Sequence, residues 1–257
     1  MAADVTTFPR LKPAVFRRAP ASLAGRAYLE LRNQILKGEL PAGVVLSRRR
    51  LARALRVSVP PVAEALLHLE HDGLVESKPR VGTRVRVPTR RDIEDRSQLR
   101  EALETQAARL LVARATAAEK QELLELGRQV DRLYAEAEQR PEDRDFLFAV
   151  HTHHMKLHLR IAEAARCPVL LEAIEKERVL VFSWLCDTVV QRRSLGFDYH
   201  VRLTKVLAAG TPEQAAAAMR RHIQRGLREV LAGLPGLDPG AHARWRSKKG
   251  GPGNQPG

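Results

Sequence analysis

The hydrophobic periodicity of the chain changes sharply after Gly73, and this change constrains the fold more than any other feature. Before Gly73, apolar residues recur three or four positions apart, as they do on one face of a helix. From Leu74 to Val87, valines alternate with arginines and lysines around Gly82, which is typical of two strands joined by a turn. After Asp92 the helical period returns and persists through most of the remaining chain. The pattern therefore predicts helices, one hairpin and then an all-helical region.

The segment before the hairpin divides into three predicted helices. Ser22 is a predicted N-cap because its hydroxyl can accept a hydrogen bond from a first-turn amide, and Gly38 is a predicted C-cap. Ser47 and Ser58 open two shorter helices, and the second of these stops at Gly73. Two short helices joined by a tight turn form a helix-turn-helix, and a hairpin directly after them forms a winged helix.

The charge of the chain favours a polyanionic partner. The sequence has 44 Lys and Arg against 30 Asp and Glu, a formal charge of +14, and cationic side chains bind nucleic acid by releasing condensed counterions. Aromatic residues make up only 4% of the chain, so duplex DNA is favoured over single strands that stack on aromatic rings. Arginine used as a solvated surface residue is the alternative. For the hairpin, the alternative to contact with phosphates is a solvated edge with protective charges.

The predicted fold class is mainly α, with an N-terminal winged helix-turn-helix that has a two-stranded β wing and a C-terminal all-α bundle. A length of 257 residues accommodates two domains. The boundaries expected from composition and periodicity are a flexible basic arm over 1–20, the DNA-binding domain over 21–88, the helical domain over 92–232 and a disordered tail over 234–257.

The cysteines and the hydropathy indicate a cytoplasmic protein without a membrane partner. Cys167 and Cys186 form no CxxC motif and no disulfide framework, which fits a reducing compartment. No stretch approaches the roughly 20 apolar residues that a membrane span needs.

Histidines are concentrated in the helical region. His154 and His158 are four positions apart, so a helix places both imidazoles on one face, as a shared metal ion requires. His200 and His222 follow on later predicted helices. For any one of these histidines, the alternative is a polar surface residue or a hydrogen-bonded core residue.

The order and spacing of several runs in the head match a known pattern. These runs are Leu36-Lys37-Gly38-Glu39-Leu40-Pro41-Ala42-Gly43, Leu46-Ser47-Arg48-Arg49-Arg50-Leu51-Ala52, Val57-Ser58, Pro61-Val62, Glu64-Ala65-Leu66 and Gly73-Leu74-Val75. With them, the chain resembles the GntR family of winged-helix transcription regulators, in the branch with the helical FCD effector domain, over roughly residues 22–232. The resemblance implies a homodimer, a double-stranded operator and a small-molecule effector, with a carboxylate expected.

The resemblance also implies where DNA is contacted. Arg49 matches a DNA-contacting position of the family. The full set of residues expected at DNA is Arg48, Arg49, Arg50, Ser58, Arg80, Gly82 and Arg84. The chain departs from the family at Val59 and Ala63, which stand where the recognition helix usually has arginines, and at Pro60, which replaces a hydroxyl residue. Since arginine is the commonest donor to guanine, these departures imply an altered sequence preference, or else a head that no longer binds an operator.

In the helical domain, His158, His200 and His222 match the three histidines of the family's metal site. His154 stands where the family has an aspartate. An all-imidazole set suits a divalent metal, with zinc expected first and nickel or copper as alternatives. Arg100 matches a family arginine that faces the effector cavity, where it could pair with a carboxylate; its alternative role is a helix charge paired with Glu104.

The function expected from all of this is a ligand-responsive bacterial transcription regulator, a repressor of a metabolic operon, and not an enzyme. Two alternatives come from other classes. A metal-dependent enzyme acting on a small molecule would use an open coordination position to activate water. A structural DNA-binding protein without an effector would bind random and operator sequences equally.

Overall fold

The computed structural model describes residues 22–176, 185 and 198–233. Cys186 and the predicted arm and tail, 1–20 and 234–257, lie outside these residues. In chain order the helices and strands are α1 (Leu23–Leu36), β1 (Val45–Leu46), α2 (Arg48–Leu55), α3 (Val59–His71), β2 (Val75–Lys78), β3 (Gly82–Val85), α4 (Arg90–Arg114), α5 (Ala117–Ala137), α6 (Arg144–Ala164), α7 (Pro168–Lys176), α8 (Tyr199–Ala209) and α9 (Pro212–Gly233).

The predicted fold class is confirmed: a winged helix-turn-helix is followed by a helical region. The wing needs one correction, because its sheet has three antiparallel strands in the order β1-β3-β2 rather than two. The extra strand, β1, pairs Val45 with Arg84 and Leu46 with Thr83. A strand of two residues is too short to produce an alternating pattern, so it could not be predicted from hydrophobic periodicity.

Serine side chains begin α1 and α2 as expected. The Ser22 hydroxyl accepts a hydrogen bond from the Gly25 amide at 3.0 Å, and the Ser47 hydroxyl accepts one from the Arg50 amide at 3.4 Å. Ser58 occupies the N-cap of α3 without such a bond. The reason is local, because the second and third residues of α3 are prolines and have no N–H to donate.

The wing and the helical region are joined by residues 86–89, and the helix that follows begins two residues before the expected domain boundary at 92. Helix α4 begins at Arg90, and Thr89 forms a capping box with Asp92. The Asp92 amide donates to the Thr89 hydroxyl at 3.1 Å, and the Thr89 amide donates to the Asp92 carboxylate at 3.0 Å. Burial raises the pKa of Asp92, but the hydrogen bonds from Thr89 and the charge of Arg86 outweigh it and hold that pKa below its usual value.

The helical region buries one face of each long helix against its neighbours, with α4 packed along α9 and α5 packed between α6 and α8. Helices α5 and α8 approach closely at Gly127, where a Cβ would lie 2.6 Å from the Thr204 hydroxyl oxygen. This close approach brings the first turn of α8 against α5. As a result, histidines of α6, α8 and α9 point into one interior.

The head contacts the helical region through the start of α6. Lys37, at the C-cap of α1, forms an ion pair with Asp145, and its ammonium lies 5.4 Å from the centre of the Phe148 ring. The Arg144 guanidinium donates to the carbonyl of Gly38 at 3.1 Å. The helix that carries His154 and His158 therefore touches the DNA-binding head directly.

Within the described ranges, every helix is too short or too polar to cross a lipid bilayer.

Candidate metal centre and DNA-contacting surface

Four buried histidines meet between α6, α8 and α9. His154 and His158 come from α6, His200 from α8 and His222 from α9, and all four are less than one tenth exposed. The His154 ring centre lies 4.8 Å from that of His158 and 4.6 Å from that of His200, and the His158 and His222 centres are 5.0 Å apart. The structure thus brings together the residues that the sequence singled out as ligands.

Three of the four direct the same ring nitrogen at one another. The Nε2 atom of His158 lies 3.0 Å from Nε2 of His154 and 3.1 Å from Nε2 of His222. Ligand atoms of these three residues all lie within 4.8 Å of one another. Metal–nitrogen bonds of about 2.0–2.1 Å in a tetrahedron place the donors about 3.3 Å apart, so this spacing suits a single ion. The donor set therefore fits a divalent cation.

Glu104 fixes the tautomer of the central histidine. The Nδ1–H of His158 donates to the Glu104 carboxylate, which leaves the lone pair of Nε2 directed at the other two histidines. Burial raises the pKa of Glu104, but the positive charge of Arg100 and the hydrogen bond from His158 outweigh it and lower that pKa to about 2. An ionised carboxylate only accepts hydrogen bonds, so the proton belongs on Nδ1 of the histidine.

Asp131, on α5, orients His200 in the same way. Its Oδ1 atom lies 2.7 Å from Nδ1 of His200, and the carboxylate also accepts from the backbone amides of His200 at 3.0 Å and Val201 at 2.9 Å. It therefore caps α8 from a neighbouring helix, since Asp198, at the N-cap, makes no side-chain cap. Burial raises the pKa of Asp131, but the hydrogen bonds from His200 and Val201 outweigh it and keep that pKa low.

His154 completes the arrangement with a phenol as its neighbour. The Tyr134 hydroxyl lies 3.0 Å from Nδ1 of His154. Burial, followed by the charges of His200, His158 and His222, holds the pKa of His154 well below its usual value. A neutral imidazole is the form that binds a metal, so the surroundings favour the ligand form.

His200 stands apart from the three-nitrogen group. Its ring meets the His154 ring edge-on at 72°, and the ring of Tyr134 stacks on it with the two ring centres 5.6 Å apart. Its role as a fourth ligand stays a prediction. His153 lies on the same helix as His154, but its Nδ1 atom contacts the carbonyl of Ala149 at 2.8 Å.

Arg100 forms the helix ion pair with Glu104 that was its alternative role, and its role toward an effector stays a prediction. Its guanidinium pairs with Glu104, and its Nη2 atom lies 3.2 Å from Nε2 of His158. The Arg100 guanidinium therefore lies next to the histidines and is held there by the buried Glu104 carboxylate.

Sequence reasoning missed Asp131 and Tyr134, and it saw Glu104 only as a partner of Arg100. The available sign was an Asp and a Tyr three positions apart within the apolar spacing of α5. Nothing in that spacing shows which histidine lies opposite, because the contacts join residues that are far apart in the chain.

In the head, the predicted DNA-contacting residues fall into two groups. Arg48, Arg49 and Arg50 are exposed on the first turn of α2, and Ser58 is exposed at the start of α3. At the turn of the wing, Arg80 and Gly82 are exposed, with positive φ angles of 62° and 111°. Four of these six residues therefore lie on the helix-turn-helix, and the other two lie at the tip of the wing.

Arg84 is the exception and requires a correction. Its side chain is only 2% exposed and forms an ion pair with Glu76 at 2.6 Å, directly across the β2–β3 ladder. The third strand contributes to this difference, since β1 pairs with β3 at Arg84 and so makes β3 the central strand of the sheet. Arg84 therefore stabilises the sheet instead of reaching phosphates.

The comparisons with known proteins agree with this arrangement. Residues 23–85 match the family model described as bacterial regulatory proteins, gntR family, and residues 95–225 match the FCD domain model. The chain is 28% identical over 210 residues to a probable D-xylose utilization operon transcriptional repressor of Paenarthrobacter nicotinovorans. The aligned region covers 82% of this chain and 89% of that repressor. It is also 28% identical over 228 residues to the HTH-type transcriptional regulator LutR of Bacillus subtilis, covering 77% and 96% of the two chains.

A solved structure shows the same fold. The E. coli McbR/YncC structure superposes with a TM-score of 0.65 at 22% identity, covering 83% of this chain and 99% of the other. Because both curated relatives are named as transcriptional regulators, the prediction of a regulator rather than an enzyme is confirmed. The chain belongs to the GntR family of bacterial transcription regulators, in the branch that carries an FCD domain.

Proposed function

We propose that this regulator is a metal-containing, ligand-responsive repressor of a metabolic operon. The observation that carries the proposal is the group of three buried Nε2 atoms, 3.0 and 3.1 Å apart, on helices behind a cationic winged helix. The repressor role is supported by the relative named as a probable D-xylose utilization operon repressor. A regulator that binds the bacterial chromosome works in the cytoplasm.

The metal that best suits the site is zinc, with nickel or copper as alternatives, because all the side chains offered are imidazoles. His154, His158 and His222 would hold it, and His200 is proposed as the fourth ligand. When bound, a divalent cation supplies a positive centre that can accept an oxygen of a ligand. Glu104 and Asp131 hold the proton on Nδ1 of their histidines and so keep Nε2 available.

Arg100 is the residue proposed to recognise the effector. Its guanidinium lies beside Nε2 of His158, so a small carboxylate next to the metal would meet a second positive group there. Glu104 holds Arg100 in place before the effector arrives, which lowers the conformational entropy lost on binding.

The route from this site to DNA is α6. His154 and His158 lie on α6, and the first turn of the same helix contacts the end of α1 through Lys37 and Gly38. A metal bound by the histidines would link α6 to α9. If α6 has two arrangements and the effector binds one of them more tightly, the effector shifts α6, and with it the head, toward that arrangement. In a homodimer, such a shift changes the spacing of two heads on a pseudo-palindromic operator.

The DNA-binding part of this proposal is tested at Arg49. The probe is a DNA duplex that the protein itself selects from a library of random sequences; this is the selected duplex. Arg49→Ala is expected to weaken binding and to lower the slope of log affinity against log salt by about 0.9, because one phosphate contact is lost. Fluorescence anisotropy at several salt concentrations measures both quantities.

The matched control is Arg202→Ala. Arg202 is exposed on α8, so the variant removes the same charge from a helix outside the head. Its salt slope should equal that of the unmodified protein. An unchanged slope in Arg49→Ala, or equal losses in both variants, would contradict a phosphate contact at Arg49.

A further inference from the structure

One side of α3 carries a row of apolar residues. Val59, Ala63 and Leu67 follow one another at intervals of four residues and so share one side of the helix. Val59 is 40% exposed and Leu67 is 64% exposed, which makes them two of the large apolar side chains most open to solvent. Pro60 is exposed beside them. The opposite side of α3 is buried in the core of the head, through Val62, Ala65, Leu66 and Leu69.

The helix before this apolar strip is rich in exposed arginines. Arg48, Arg49, Arg50 and Arg53 are all exposed on α2, the helix that precedes α3. Glu64 is an exposed acid on α3, and its carboxylate lies 3.7 Å from the ring of His68 on the next turn. The strip thus offers apolar contact next to a helix that carries four exposed arginines.

Duplex DNA has the complementary chemistry. Phosphates line the two edges of the major groove, and the only apolar group on a base edge inside it is the C5-methyl of thymine. In a helix-turn-helix, the second helix enters this groove with its N-terminal residues at the base edges. A protein surface or a lipid surface would not by itself explain why arginines flank the strip.

We infer that α3 reads thymine methyl groups through Val59, Ala63 and Leu67. The inference rests on the proposed DNA binding and names what that surface recognises. These side chains carry no donor or acceptor, so they distinguish bases only by apolar contact. The arginines of α2 supply affinity for the backbone, and α3 supplies a preference for thymine at fixed positions.

Deoxyuridine provides the test, because it pairs like thymidine but lacks the methyl group. Each thymine of the selected duplex is replaced in turn by deoxyuridine, and affinity is measured by anisotropy. A contacted thymine should bind about fourfold more weakly after replacement, which is the effect of one lost methyl contact. In Val59→Ala combined with Leu67→Ala, the same replacements should have little further effect, because the contacting side chains are gone.

Arg49→Ala is the control, since it should weaken binding to the thymine and deoxyuridine duplexes by the same factor. Both α3 substitutions are at exposed positions, and thermal melting checks that the variant stays folded.

Three results would overturn the inference. Deoxyuridine duplexes that bind as tightly as thymine duplexes would remove thymine reading and leave the proposed function intact. An α3 variant that loses self-association but keeps its response to deoxyuridine would make the strip a protein interface. Recovery of no duplex from the library would refute the proposed DNA binding itself.

Discussion

Replacing His158 by alanine is expected to abolish stoichiometric zinc binding. Nε2 of His158 lies within 3.1 Å of the corresponding atom in both His154 and His222, so its removal takes away the nitrogen that adjoins both of the others. We expect the zinc affinity to fall by at least about 100-fold. Loss of a residue that only hydrogen-bonds to a metal ligand lowers metal affinity by up to about that factor, and His158 is itself a proposed ligand. Dialysis against zinc followed by metal analysis measures the stoichiometry.

The same loss should appear in thermal stability. Zinc at 100 times its dissociation constant would stabilise the native protein by about 2.7 kcal/mol, and this increase should be absent from the variant. His222→Ala is a second variant that leaves the contact between Glu104 and His158 in place, and it should lose zinc as well.

His153→Ala is the matched control, since it removes an imidazole from the same helix whose Nδ1 atom contacts the Ala149 carbonyl. This variant should retain zinc. Full retention of zinc by both His158→Ala and His222→Ala would refute the ligand assignment.

Replacing Glu104 by glutamine is expected to have the largest effect on stability. The carboxylate is buried, pairs with Arg100 and accepts the proton of His158 Nδ1. Removing its charge takes the counterion from a guanidinium that is only 12% exposed, and breaking such a pair destabilises proteins by about 3–5 kcal/mol when it is buried. Urea denaturation at neutral pH measures the change in the free energy of unfolding.

The pH dependence of this effect has a definite sign. The pKa of Glu104 is lowered to about 2 in the native state, so its stabilising contribution is present above the ordinary value of 4.5. That contribution is lost as the pH falls from 4.5 toward about 2. The gap in stability between the two proteins should therefore narrow on acidification.

Glu213→Gln is the control for this substitution. Glu213 also pairs with an arginine, Arg109, at 3.0 Å, but its side chain is 72% exposed. Its replacement should change the free energy of unfolding by no more than about 0.5 kcal/mol. A loss below about 1 kcal/mol in Glu104→Gln would contradict the buried network described here.

The sequence predicted those features that depend on local order. Ser22 and Ser47 begin helices because a hydroxyl at the N-cap satisfies a free amide, and this requires only neighbouring residues. The spacing of His154 and His158 likewise placed two imidazoles on one face of one helix. The approach of His200 and His222 did not follow from spacing; it came from the resemblance to a known family.

The features that the sequence did not predict depend on distant contacts. Arg84 alternates with valines like an exposed wing residue, yet it is buried and paired with Glu76, on a strand that also pairs with Val45, nearly 40 positions earlier. Asp131 faces His200 because α5 and α8 approach closely at Gly127, and no local pattern records that approach. Pairing across a sheet and contact between helices decide the environment of such side chains.

The central claim is that the histidine centre controls the DNA-binding head through α6. Anisotropy titration of the selected duplex with zinc-loaded protein and with chelator-stripped protein tests it most directly, once metal analysis has verified both states. We expect the two affinities to differ by about fivefold or more, the lower end of allosteric coupling in proteins. Equal affinities in the two states would contradict the claim.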